Sequence, residues 1–198
     1  MSTRRVDERV KALGLTGIDK SAMSRISQQL DETVRRFRER KLEGTYPSIW
    51  LDALYFKVRQ NHRIVSQAVV IAIGVKETGE RDILGFDSGA SEEHVFWLAF
   101  LRSLMERGLQ GVQLVISDAH TGLKAAIGAV FQGASWQWCR VHCLRNLLAH
   151  VPQSDKAMVA AAVRTIFAQP NRPAASQQLQ EVEKRTGRTL AKGCQRTR

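Results

Sequence analysis

IWLDALYFKV, residues 49–58, is followed by IVSQAVVIAIGVK over residues 64–76 and RDILGF over residues 81–86. Each run has strand length and is rich in Val, Ile, Leu or aromatic residues, and Thr78-Gly79 supplies a turn between the last two. Three successive strands with short connections predict an antiparallel meander. The break LEGTYPSIW, with Gly44 and Pro47, marks where it begins.

Downstream, the period changes. Ser91 with Glu92 and Glu93 reads as a helix start with acids against the N-terminal dipole, Trp97, Leu101, Leu104 and Met105 as its buried stripe, and Gly108 as its end. Val112–Ile116 is short and wholly apolar, which suits a central parallel strand covered on both faces. A helix bearing Leu123, Ala126, Ile127 and Val130 follows, then a strand near Ser135–Trp138, then a helix over Val141–His150. The order predicts an α/β domain with a mixed sheet, the meander joined by parallel strands and flanked by helices. Beyond Pro152 the chain reads as helical and Ala-rich to Ala168.

Upstream of the meander, Val6, Val10 and Leu13 mark one helix, GLTGI a turn, and Met23, Ile26, Leu30, Val34 and Phe37 a longer amphipathic helix capped by Asp19 or Ser21. Lys20, Ser24, Arg25 and Gln28 lie on its polar side and are residue types that reach phosphates and base edges from a major groove. A two-helix surface appendage with a solvated charged face fits the same periodicity.

The chain has 198 residues and a formal charge of +11, enough for one well-packed domain and a small appendage. Residues 1–41 carry eleven Lys or Arg against six acids, residues 42–183 thirteen against thirteen, and residues 184–198 six against none. A neutral middle with basic ends suits a polyanionic partner, nucleic acid ahead of a membrane surface. Cys139, Cys143 and Cys194 lack the spacing of a disulfide framework, and no run approaches the roughly 20 apolar residues needed to span a bilayer. A cytoplasmic, nucleoid-associated protein with no membrane contact is expected.

Two aspartates stand alone at apolar runs: Asp52 in IWLDALYFKV and Asp118 in LVISDAH. Asp52 alternates with Trp50, Leu54 and Phe56, so it shares their face of the strand, and an acid held against apolar neighbours needs compensation. Asp118 closes a strand before a helix, where open sheets place ligands; an Asx turn is the plainer explanation for it. If the first and fourth strands lie side by side, the two carboxylates form hard-oxygen ligands for Mg²⁺ or Mn²⁺, the cofactor of in-line displacement at phosphorus. Cys139 and His142, with Cys143 and His150 nearby, are too compressed for a structural zinc site and lack the orienting acid of a Cys–His nucleophile. A packing and hydrogen-bonding role is expected of them, and a turn-capping role of His120.

Five strings together carry a family resemblance: ALGLTGIDKSAMSRI (12–26), YPSIWLDALYFKVR (46–59), GASEEHVFWLAFLRSLMERGL (89–109), VISDAHTGLKAAI (115–127) and WCRVHCLRNLL (138–148). From about Ser2 to Gln169 the chain resembles bacterial insertion-sequence transposases of the mutator type. The resemblance implies an RNase H-like core with an Asp-Asp-Glu triad, Asp52 and Asp118 as its first two catalytic and metal-binding carboxylates, and Cys139 with His142 as the Cys-x-x-His signature. It further implies a partial helix-turn-helix over residues 1–41, the catalytic core over 42–150, and the start of a helical insertion over 151–183. The implied activity is metal-dependent DNA cleavage and strand transfer on terminal inverted repeats and target DNA, by a homo-oligomer in the full-length family.

No string resembling the family's glutamate-bearing helix is found: Glu181 and Glu183 are the acids after Asp155. The last fifteen residues, KRTGRTLAKGCQRTR, have no acid and no apolar period, so a disordered basic tail over 184–198 is expected. A truncated copy, inactive in cleavage on its own, is the expectation. The alternatives are a DNA-binding remnant that occupies terminal repeats or inhibits the full-length enzyme, and a nuclease for RNA–DNA hybrids.

Overall fold

The computed structural model describes residues 19–60, 62–89 and 94–186. Helix α1 is Lys20–Glu39; strands β1, β2 and β3 are Ser48–Gln60, Arg63–Val75 and Arg81–Gly89; α2 is His94–Glu106. Strand β4 is Leu114–Ser117, α3 Thr121–Val130, β5 Ser135–Trp138, α4 Arg140–Ala149, α5 Lys156–Phe167 and α6 Arg172–Thr186. The first helix of the expected helix-turn-helix, the Ser91 helix start and residues 187–198 of the basic tail lie outside the described residues. Lys184, Arg185 and Thr186 complete α6.

All five strands belong to one sheet in the order β3-β2-β1-β4-β5. The meander is as the sequence predicts: β1 runs antiparallel to β2 from Ser48 opposite Val75 to Gln60 opposite Arg63, and β2 antiparallel to β3. The turn between β1 and β2 holds His62 in the left-handed region, at φ 62°. The chain forms two compact units, one built from residues up to Val115 with Thr121–Ser135, the other from Ile116–His120 with the chain from Trp136 onward.

In the first unit, alternation on β2 buries Ala68, Val70 and Ala72, while Ile49 and Leu51 of β1 and Leu84 of β3 are also buried. Helix α2 contributes Trp97, Phe100, Leu101 and Leu104, the i, i+3, i+4, i+7 set of one helical face. Met105, expected in that stripe, is 41% exposed, because it follows Leu104 around the helix and away from the packed side. A left-handed Gly108 (φ 105°) ends α2 as the sequence predicts: its N–H bonds to Met105 O and that of Leu109 to Leu104 O. Tyr46, at the entry to β1, is buried and its hydroxyl donates to Asp82 at 3.1 Å. Gly74 admits that ring, since a Cβ there would stand 2.6 Å from it.

Helix α1 belongs to the same unit. Asp19 caps it, accepting from the Ala22 N–H, which holds this carboxyl below its ordinary range. At the other end Phe37 stacks on Phe86 at 5.6 Å, Arg38 pairs with Asp87 at 2.6 Å and Arg40 with Asp82 at 2.8 Å. Half-buried Arg107 donates to Arg40 O; burial, then the charges of Arg40 and Arg38, pull its pKa down.

In the second unit, Val151, Val159, Val163 and Val182 form a core against which Leu144, Leu147, Leu148, Ala162 and Ile166 pack. This core joins α4, α5 and α6, and α5 falls within the stretch up to Ala168 that reads as helical and Ala-rich. Among the described residues, no helix is long and apolar enough to cross a membrane.

Candidate active site

Asp52 faces Ile71 across the β1–β2 ladder, and its Oδ1 accepts the Ala53 N–H at 2.9 Å. Alternation puts it on the face of Trp50, Leu54 and Phe56 as expected, but that face is open: the three are 36%, 54% and 50% exposed, and Asp52 is exposed with them. The sequence reading gave this carboxylate a desolvation cost that it does not bear. Its side chain is exposed, and pairing with β2 sets its place along the strand.

Asp118 is half-buried, one residue beyond β4, in the second unit. Its Oδ1 accepts the His120 N–H at 3.2 Å, an Asx-type turn, so His120 contributes its backbone here and its ring is not needed for the cap. Ser117, just before it, is fully buried; its hydroxyl donates to Asp118 O at 2.8 Å and accepts from Trp136 Nε1 at 2.9 Å. The Cys139 N–H bonds to Ser117 O at 2.6 Å, which ties the start of α4 to the end of β4. Cys139 is the N-cap residue of α4 and makes no side-chain cap bond; Cys139 and Cys143 are half-buried and not in a disulfide, and His142 is half-buried.

The structure thus gathers Ser117, Asp118, His120, Trp136 and Cys139 in the second unit. Sequence reasoning missed Ser117 and Trp136; the available signal was a hydroxyl in the otherwise apolar run LVIS. Lys20, Ser24, Arg25 and Gln28 lie on α1 in the first unit, all exposed and spaced to share one helical side.

Carboxylate oxygens are hard donors and fit a hard divalent cation, whereas Cys139, Cys143 and His142 would suit a softer one. Among the described residues no group of three or more His, Cys, Asp and Glu could hold a metal ion, and each aspartate by itself offers oxygen donors of the kind such a cation takes.

The strand order and flanking helices define an α/β protein with a mixed five-stranded sheet. The family model described as "Transposase, Mutator family" matches residues 1–198, and the chain belongs to that family. It is 45% identical over 172 residues to the transposase for insertion sequence element IS1081 of Mycobacterium tuberculosis, covering 86% of this chain and 41% of that one. It is 44% identical over 170 residues to the transposase for IS256 in transposon Tn4001 of Staphylococcus aureus, covering 84% and 43%. With the transposase for IS406 of Burkholderia multivorans it shares 43% identity over 182 residues, 90% and 47% of the two chains. The chain therefore spans less than half the length of these relatives. A cryoEM structure of a simian T-cell lymphotropic virus intasome with PP2A regulatory subunit B56 gamma matches 72% of this chain and 50% of its own, at TM-score 0.35 and 14% identity.

Proposed function

We propose that this chain supplies the end-binding helix and two active-site carboxylates of an insertion-sequence transposase acting on double-stranded DNA. The observation that carries the reading is the strand order, in which β1 and β4, each with one lone aspartate on or just beyond it, are neighbours in a chain of the Mutator family. Asp52 and Asp118 are the proposed ligands of Mg²⁺ or Mn²⁺. Such a cation, when bound, offsets charge on the attacking and leaving oxygens of a phosphodiester. Asp52 presents an exposed carboxylate and Asp118 a half-buried one whose turn fixes its direction. Cys139 and His142 are assigned a packing and hydrogen-bonding role at the start of α4, where the N–H of Cys139 bonds to Ser117 O.

Glu181 and Glu183 flank Val182, a member of the α4–α6 core, so neither is assigned as a third ligand. On its own the chain is proposed to bind DNA without cutting it. A nicking assay with Mn²⁺ on DNA carrying terminal inverted repeats, comparing wild type with Asp52→Ala and Asp118→Ala, tests this. Little or no cleavage is expected from any of the three. Robust cleavage abolished by either substitution overturns the inactivity and leaves the two-aspartate site standing; cleavage that survives both removes the site.

A second reading, binding as the surviving activity with inhibition of a full-length relative, is favoured by the exposed polar side of α1. Gel shifts over a salt series should show affinity falling steeply with ionic strength, and Lys20→Ala or Arg25→Ala should each lower the slope by about one. Salt-independent binding would count against it. Function in the cytoplasm at the nucleoid and assembly as a homo-oligomer belong to the same proposal.

A further inference from the structure

Ser117 is the one polar residue among the fully buried of the described residues, and a buried hydroxyl has to be satisfied by the protein. Its partners fix its direction. An indole Nε1–H can only donate, so the bond from Trp136 at 2.9 Å makes Ser117 Oγ an acceptor. The hydroxyl proton is then available for the other side, where the Asp118 carbonyl lies at 2.8 Å. The result is a one-way chain, indole to hydroxyl to carbonyl, in which each bond polarises the next. Asp118 is held at two points: its carbonyl by this chain, and its carboxylate Oδ1 by the His120 N–H at 3.2 Å. The Cys139 N–H on Ser117 O, at 2.6 Å, fixes the serine backbone as well.

We propose that Trp136 and Ser117 are positioning residues for Asp118: the indole orients the serine hydroxyl, and the hydroxyl fixes the main chain from which the carboxylate projects. The inference rests on the reading of Asp118 as a cation ligand. Neither residue touches the cation or the DNA; both act through Asp118. Groups one step behind a ligand commonly govern affinity about tenfold or more, and a ligand on a loosened main chain must be ordered at the moment of binding.

The test is Mn²⁺ binding by the full chain, followed by the paramagnetic resonance of free aqueous Mn²⁺, with circular dichroism confirming the fold at the titration temperature. Ser117→Ala removes acceptor and donor together and is expected to weaken binding about tenfold. Trp136→Phe keeps an aromatic side chain but removes the N–H together with part of the indole, with an expected loss of about threefold to tenfold; it carries the test if Ser117→Ala does not fold. Because the two act in series, the double substitution should be no worse than Ser117→Ala alone. Asp118→Asn is the reference and should lose at least as much as any of them. Wild-type affinity in Trp136→Phe and Ser117→Ala, beside a weakened Asp118→Asn, overturns the positioning role; so do losses that simply multiply in the double substitution. Wild-type affinity in Asp118→Asn instead sinks the metal reading itself, and the inference with it.

Discussion

The two strands associated with the aspartates are built in opposite ways. Strand β1 is thirteen residues long, and past Leu51 none of its residues is buried; β4 is four residues long, and three of them are buried. On β1 the acid is placed by main-chain pairing with β2, and its side chain faces solvent. Beyond β4 the acid is placed by side chains, through a buried serine, an indole and an Asx turn. A ladder tolerates change at its exposed positions, while a buried polar network fails when any member is lost.

The largest expected effect lies at the base of β1, where Ile49 is wholly buried: Ile49→Ala should cost about 2–5 kcal/mol in urea unfolding. A much smaller loss would mean that pairing, rather than the core, anchors that end too. Next comes Ser117→Ala, which removes the hydroxyl that accepts from Trp136 and donates to Asp118 O and should cost about 1–3 kcal/mol, seen as a lower Tm. An unchanged Tm would erase the contrast with β1. Third, burial and then the Asp82 hydrogen bond raise the Tyr46 pKa, so this stabilisation is present below the ordinary tyrosine value and is lost as pH rises through the raised one. Tyr46→Phe should cost about 1 kcal/mol at neutral pH and remove this component of the alkaline decline. Smallest are Leu54→Ala and Asp52→Asn, at exposed positions of β1, each expected within about 0.5 kcal/mol of wild type. A loss of several kcal/mol at either would show that the open face is packed in solution.

Much of this architecture was legible in the residues because it rests on local pattern. Strand β5 falls where SWQW predicts it, the meander strands extend the expected runs by at most a few residues, and Gly108 stops α2 by the only backbone conformation that glycine favours over other residues. Alternation could not say which face of β1 is covered, since both faces are apolar: Ile49 and Leu51 on one, Trp50 and Leu54 on the other. Asp52 was accordingly placed on the right face with the wrong environment. Phe100 and Met105 are equally apolar, and the packing partner decides between them. The Ser117–Trp136 bond joins residues on two strands separated by α3, and no periodicity in either strand announces it.

Helix α1 is clamped to β3 by Phe37, Arg38 and Arg40, all within its last turn or just beyond, while none of its residues is fully buried. These contacts with β3 gather at its carboxyl end, while Lys20 and Arg25 stand near its amino end. Amide exchange should therefore slow along α1 from the cap toward Phe37. A polyanion held at Lys20 and Arg25 would act on the sheet through the helix that runs from them to the Phe37–Phe86 stack, its fulcrum.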